Sequence, residues 1–205
     1  MTPILLIGGG GHCRSCIDVI ETCKEFRIKG IIDNNLEIGH NLLGYTVLGN
    51  DTVLPQLIKE TQHALITVGQ IKNAATRAIL CLKIEKNGGR LPTITSPNAF
   101  ISRHATLGEG TIAMHGSIVN AGARVGRNVI INSQSLIEHD AQIGDHCHIS
   151  TGAKINGNAS IGESSFIGSG SIVHQGIKIG SQAVIGAGCI IRKDVPAQTI
   201  LRTSV

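Results

Sequence analysis

The stretch "INSQSL IEHDAQ IGDHCH ISTGAK INGNAS IGESSF", residues 131–166, places an isoleucine at every sixth position. An α-helix cannot keep that beat, because its faces recur every 3.6 residues, and an ordinary strand alternates every two. Followed outward, the beat runs unbroken from Ile101 to Pro196, sixteen hexads in all. Fifteen of the sixteen first-column residues are Ile, Val or Leu, and Ala113 is the other. The fifth column, Ala105 to Val195, holds only Ala, Ser, Thr, Cys, Val and one Ile, and the second is often Gly, as at Gly108, Gly126, Gly144, Gly162, Gly168, Gly180 and Gly186. This is the signature of a parallel β-helix, in which each hexad is a short strand plus a corner and three hexads close one triangular coil. Sixteen hexads make about five coils, enough for the layers to bury one another. Large first-column aliphatics stack inside, and the small fifth column fits the tight inner corner. Cys147 and Cys189 stand in that column and are expected to be core thiols.

Before the repeat the pattern changes. "TPILLIGGGGHCRSCIDVIE" reads as a strand over Pro3–Ile7, a glycine turn over Gly8–Gly11 and a helix from about Cys13. A second strand, "RIKGIID", ends at Asp33; "GYTVLG" and the strand "HALITVG" (63–69) follow, then a helical stretch from about Ile71 to Lys86. Alternating strands and helices predict a small parallel, Rossmann-like α/β sheet. "NGGRLPTITSPNAF" carries the turn signals that part the two halves, giving an α/β domain over 1–95 and a β-helix over 96–205. A glycine turn feeding a helix N-terminus suits phosphates, because unpaired N–H groups and the helix dipole both favour anions. Gly10 and Gly11 are the candidates there. The dinucleotide pattern G-x-G-x-x-G fails at Cys13 or Arg14, depending on its start, so NAD is not expected.

With 26 glycines, three Phe, one Tyr and no Trp, the core is built from thin repeated layers. The formal net charge is +4 with the cations scattered, and there are too few aromatics to stack bases, which argues against nucleic acid. No apolar run is long enough to cross a bilayer and no signal-peptide pattern opens the chain, so a cytoplasmic protein with no membrane insertion is expected. Its six cysteines would then be reduced. Cys13-x-x-Cys16 has no second pair at zinc-ribbon distance and reads as two buried helix thiols. The run "HDAQIGDHCH" (139–148) invites a zinc reading, but Cys147 sits in an inward column, away from His146 and His148, so no metal is expected.

Both halves resemble one subfamily of hexapeptide-repeat acyltransferases. It comprises the sialic acid O-acetyltransferases and the UDP-4-amino-sugar N-acetyltransferases of bacillosamine synthesis. The matching segments are "GGGGH", "IID", "VG" before the second helix, and "INSQSLIEHDAQIGDHCHISTGAKINGNASIG" (131–162). The resemblance implies a left-handed β-helix, although β-crossovers are usually right-handed. It also implies a homotrimer with acetyl-CoA bound between neighbouring prisms, a nucleotide-linked amino sugar as acceptor, and a place in bacterial surface glycan synthesis. By the same resemblance His139 is the general base and Asp140 raises its basicity, while His148 contacts acetyl-CoA. The N–H of Gly157 would meet the thioester carbonyl, and Ser169 and Ala187 the CoA arm. Asn132 and Glu138 match polar positions around the base; His12, Asp33 and Gly69 match residues at the nucleotide sugar. His146 matches no role and is expected at the surface.

The chemistry is sensible on its own terms. An amine or hydroxyl attacking a thioester sheds a proton, and an imidazole near neutral pKa accepts it well. Asp140 follows His139 directly, and adjacent residues on a straight strand point to opposite faces, so the pair requires a corner there. Two departures from the family stand out. The usual Gly-x-Pro-Ala ending is replaced by "KDVPAQTILRTSV", which puts the C-terminal CoA contacts in question, and Asn34 follows Asp33 where some relatives carry a second acid. Two other readings stay open on the sequence: O-acetylation of sialic acid or another sugar hydroxyl with the same base, and a non-catalytic hexapeptide scaffold.

Overall fold

The structure, a computed structural model, describes residues 1–202. The N-terminal half is a five-stranded sheet built from β1 (Thr2–Ile7), β2 (Phe26–Ile32), β3 (Asn41–Leu42), β4 (Tyr45–Gly49) and β5 (Ala64–Ile66). Its order is β3-β4-β2-β1-β5, parallel except for the β3–β4 hairpin. Side chains of β1 alternate between two cores, as a strand's must. Ile4 and Leu6 pack on helix α1 (Gly11–Cys23), through Cys13, Cys16, Ile17 and Ile20. Leu5 and Ile7 pack on the opposite side against α2 (Leu54–Thr61) and α3 (Ala75–Lys86), through Leu54, Ile58, Leu80 and Ile84.

Two helix boundaries differ from the sequence reading. Helix α2 has no counterpart in it: eight residues with Pro55 in the first turn give too little periodicity to stand out. Helix α3 begins at Ala75 rather than near Ile71, because the side-chain oxygen of Asn73 accepts the Ala75 N–H and sets the start there.

The second half is the β-helix. Two-residue strands stack into three parallel faces of six, five and seven strands, and partners are eighteen residues apart, as in Ile130↔His148 and Ile131↔Ile149. The first and fifth columns form the interior, from Ala113 and Val119 to Ile191 and Val195, with Cys147 fully buried and Cys189 nearly so. Burying each such aliphatic is worth about 1.5–3 kcal/mol. Backbone φ turns positive at fourteen successive fourth-column positions, Gly110 to Gly188, so every corner there is a left-handed residue.

The strand Ile94–Thr95 already pairs with Ile112–Ala113 and opens the seven-stranded face. The outward sixth-column residues Ile94, Ile112 and Ile130 of that face join the α1 core cluster. The α/β domain is thus docked on the seven-stranded face, and the edge between the six- and five-stranded faces lies opposite it.

Candidate active site

The corner after Ile137 carries Glu138, His139 and Asp140. Asp140 sits at φ +60, and this left-handed turn brings its carboxylate to its neighbour's ring. His139 Nδ1 donates to Asp140 Oδ2 at 2.9 Å, as a carboxylate can only accept. The lone pair is therefore left on Nε2. Both side chains are more than half exposed, so the contact orients the ring more than it stabilises the fold. Glu138 Oε2 accepts from the His139 backbone N–H at 3.2 Å and from Asn120 Nδ2 at 2.9 Å, which pins the corner. Eighteen residues on, one coil further, lies Gly157. A Cβ there would stand 2.5 Å from His139 Nε2, so only glycine lets the ring lie over that backbone. His139, Asp140, Glu138 and Gly157 thus form one group on the edge opposite the α/β domain.

His148 forms a second group. Its column points outward, as the spacing requires, yet its ring is buried because the docked domain covers it. Nδ1 donates to the Gln70 carbonyl at 2.7 Å, and Nε2 accepts from Asn132 Nδ2 at 3.1 Å. The ring meets Phe166 edge-on at 5.2 Å, and His12 lies 6.4 Å away. Burial lowers the His148 pKa to about 4; the Gln70 carbonyl opposes that shift and the nearby Arg77 charge adds to it. His12 is lowered to about 3 by burial, then by Arg77 and His148, and Cys16 Sγ lies 3.4 Å from its Nε2. Within one chain Asn132 thus bonds His148, while the His139 corner lies on a different edge of the prism.

A third group lines a cleft of about 400 Å³ at the carboxyl ends of β1, β2 and β5, bounded by Gly10, Asp33, Asn34, Val68, Gly69, Thr76 and other residues. Open α/β sheets bind ligands at that end. Gly10 caps α1, and Gly11 opens it with bare space around its Cα. Burial works against the Asp33 carboxylate, but backbone N–H groups of Gly9, Asn35 and Leu36 outweigh it and hold the carboxyl below its usual range. Asp33 thereby shapes the cleft loop. The fourth group, Ser169 and Ala187, lines an apolar groove of about 610 Å³ with Phe166, Val184, Ile200 and the cations Lys72 and Arg202. Ser169 Oγ bonds Ser150 Oγ at 2.9 Å. The altered C-terminal segment thus contributes to this groove through residues up to Arg202, and 203–205 lie outside the described residues.

The three histidines of the 139–148 run turn to different partners. His146 corrects the surface expectation: it is half-buried, with Nδ1 2.9 Å from Asn128 Nδ2, because α3 packs across that corner. Among the described residues no group of three or more His, Cys, Asp and Glu is placed to hold a metal. Cys13 and Cys16 are buried free thiols. Among the described residues no helix is long and apolar enough to span a membrane. Sequence reasoning missed Arg77, which is 1 % exposed between the two domains, since a lone arginine in a helix carries no spacing signal.

Residues 3–81 match the PglD N-terminal domain family, and residues 123–157 and 158–193 match the bacterial transferase hexapeptide family. Among solved structures, PerB from Caulobacter crescentus in complex with CoA and GDP-perosamine is 30% identical, with a TM-score of 0.91 over 98% of this chain and 94% of that one. The acetyltransferase domain of PglB from Neisseria gonorrhoeae FA1090, in complex with acetyl coenzyme A, is 28% identical, with a TM-score of 0.91 over 98% and 95%. WeeI from Acinetobacter baumannii AYE is 26% identical, with a TM-score of 0.85 over 98% and 96%. No curated protein matches the chain.

Proposed function

The chain belongs to the hexapeptide-repeat acetyltransferases that carry a PglD-type N-terminal domain, and on that premise we propose that it transfers the acetyl group of acetyl-CoA to the amino group of a nucleotide-linked amino sugar. The observation that carries this is the His139 corner. An imidazole oriented through Nδ1 presents its Nε2 lone pair over a glycine backbone, which is what an incoming amine needs in order to lose a proton. The amine attacks the thioester carbon directly, the C–S bond breaks, and CoA leaves as the thiol. No acyl-enzyme is needed, because the thioester is already activated and the site's work is alignment. The Gly157 N–H is assigned to the carbonyl oxygen as charge develops on it. The nucleotide sugar is assigned to the Gly10–Asp33–Gly69 cleft, and the CoA arm to the groove at Ser169 and Ala187.

The site so assigned is incomplete in one chain. His139 sits on the edge between the six- and five-stranded faces. Ser169 and Ala187 follow strands of the seven-stranded face and lie on its edge with the six-stranded face. The six-stranded face between these edges presents Phe100, Ile118 and Ile190 to solvent, an apolar strip suited to association. A threefold assembly about that face sets the His139 edge of one copy beside the groove and cleft of the next, which supports a trimer with shared sites. Six free cysteines and cytosolic co-substrates favour a cytoplasmic setting.

The test is thiol release from acetyl-CoA with a panel of UDP-, GDP- and dTDP-linked amino sugars and free sialic acid. Turnover on an amino sugar with an N-acetylated product supports the reading. Turnover on sialic acid alone moves the assignment to O-acetylation, and no turnover with no acetyl-CoA binding favours the scaffold.

A further inference from the structure

Arg77 is buried in α3, and no carboxylate pairs with it among the described residues. Its guanidinium instead bridges the two domains through oxygen acceptors. Nη1 donates to the carbonyls of Ile66 and Val68, both at 2.8 Å. Nη2 donates to the Asn128 carbonyl at 3.1 Å and to its side-chain oxygen at 2.5 Å. Asn128 Nδ2 returns a bond to the Arg77 carbonyl at 3.3 Å. An unpaired buried cation is a costly way to join two surfaces, and apolar contacts would hold them as well. What the planar fork adds is direction, because it fixes four acceptors at once.

Those acceptors lead to both halves of the assigned site. The backbone held at Ile66 and Val68 continues to Gly69, in the wall of the cleft, and to Gln70, whose carbonyl accepts a hydrogen bond from His148 Nδ1. Thr76 and Leu80, on either side of Arg77 along α3, also line the cleft. The other arm of the fork grips the β-helix corner at Asn128. We infer that Arg77 is a positioning residue that sets the Val68–Gln70 backbone, so that the nucleotide-sugar cleft and the His148 ring keep one fixed relation. The inference rests on the functional reading above for what the cleft and ring hold. Its charge also disfavours a proton on His12 and His148, consistent with two neutral rings beside it.

Three variants test it: Arg77→Lys, Arg77→Met and Asn128→Gly. The last removes one amide at a residue with φ +52, a conformation glycine adopts freely. The first readout is the ¹⁵N signature of the His148 ring in ligand-free protein, assigned with a His148→Gln control. The second is kcat and KM for the nucleotide sugar, normalised to folded protein. A positioning role gives a fall of roughly tenfold to a hundredfold in kcat and a raised nucleotide-sugar KM in Arg77→Met. It also gives partial recovery in Arg77→Lys and loss of the single Nδ1–H tautomer. If Arg77→Met does not fold, Asn128→Gly carries the same readouts at smaller amplitude. Folded variants with an unchanged ring signature and unchanged KM overturn the inference, leaving Arg77 as structural joinery. A ring signature that depends on Arg77 in a protein that turns over no nucleotide sugar supports the positioning and sinks the functional reading instead.

Discussion

At His139, one positive-φ residue and one missing Cβ decide where the ring can lie. Asp140 could not reach its neighbour's ring from a straight strand, and the ring could not lie over any residue but glycine at 157. His139→Ala is therefore expected to lower kcat/KM by about 10²–10⁴-fold. Asp140→Asn should cost less, since an amide oxygen still accepts from Nδ1; steady-state thiol release checks both. The buried histidines give a different signal. The folded-state pKa values of His12 and His148, about 3 and about 4, lie below the ordinary imidazole value of about 6.5 because burial disfavours the charged ring. The unfolded chain thus binds more protons from about pH 6.5 down to about 3–4, and stability falls as pH drops through that window, while above it both rings are neutral in either state and add no slope. A melting series from pH 7.5 to 4.5 should show this slope, and His148→Gln should flatten it. The corner that joins His139 to Asp140 was legible in the sequence, because neighbours on a straight strand could not meet. The partner of Asn132 was not, because a side chain's reach depends on what packs over it, and the docked domain turns His148 toward Asn132.

The hexad was legible at the scale of the element because each column meets the same surroundings in every coil. First-column residues always face the interior, and the fifth always the inner corner, so sixteen copies state the rule. The fourth column carries a rule of its own, a left-handed residue at each of fourteen corners, filled by Gly, Asn, Gln, Asp, His and Ser. Its Gly and Asn content is the signal that could have revealed it. Gly152 stands at φ +66 with open space where a Cβ would point, so backbone strain is the only cost of a side chain there. Gly152→Val is expected to lose about 1–2 kcal/mol of stability, while Asn158→Gly changes it little; chemical denaturation distinguishes them. The sixth column was not legible, because its neighbours change from face to face. On the seven-stranded face it buries Ile112 and Ile130 under α1, and on the six-stranded face it leaves Ile118 and Ile190 exposed. Helix α2 escaped for the opposite reason, being too short for any period to show.

For the whole molecule the governing fact is separation. His139 lies on one edge of the prism, and the cleft and groove belong to the side that carries the α/β domain, so under the proposed assignment assembly has to bring them together. Two variants should each be inactive alone: His139→Ala, which lacks the base, and Gly10→Trp, whose side chain would fill a cleft at a position with φ −76 and free space. Co-expressing them with different tags and purifying mixed oligomers is the measurement that tests the account most directly. If the base of one copy serves the cleft of the next, each mixed trimer holds one site in three with an intact base and an intact cleft, and activity returns to about a third of wild type. Mixed oligomers that stay inactive would contradict the shared site, and with it the assignment of His139 and the cleft to neighbouring copies.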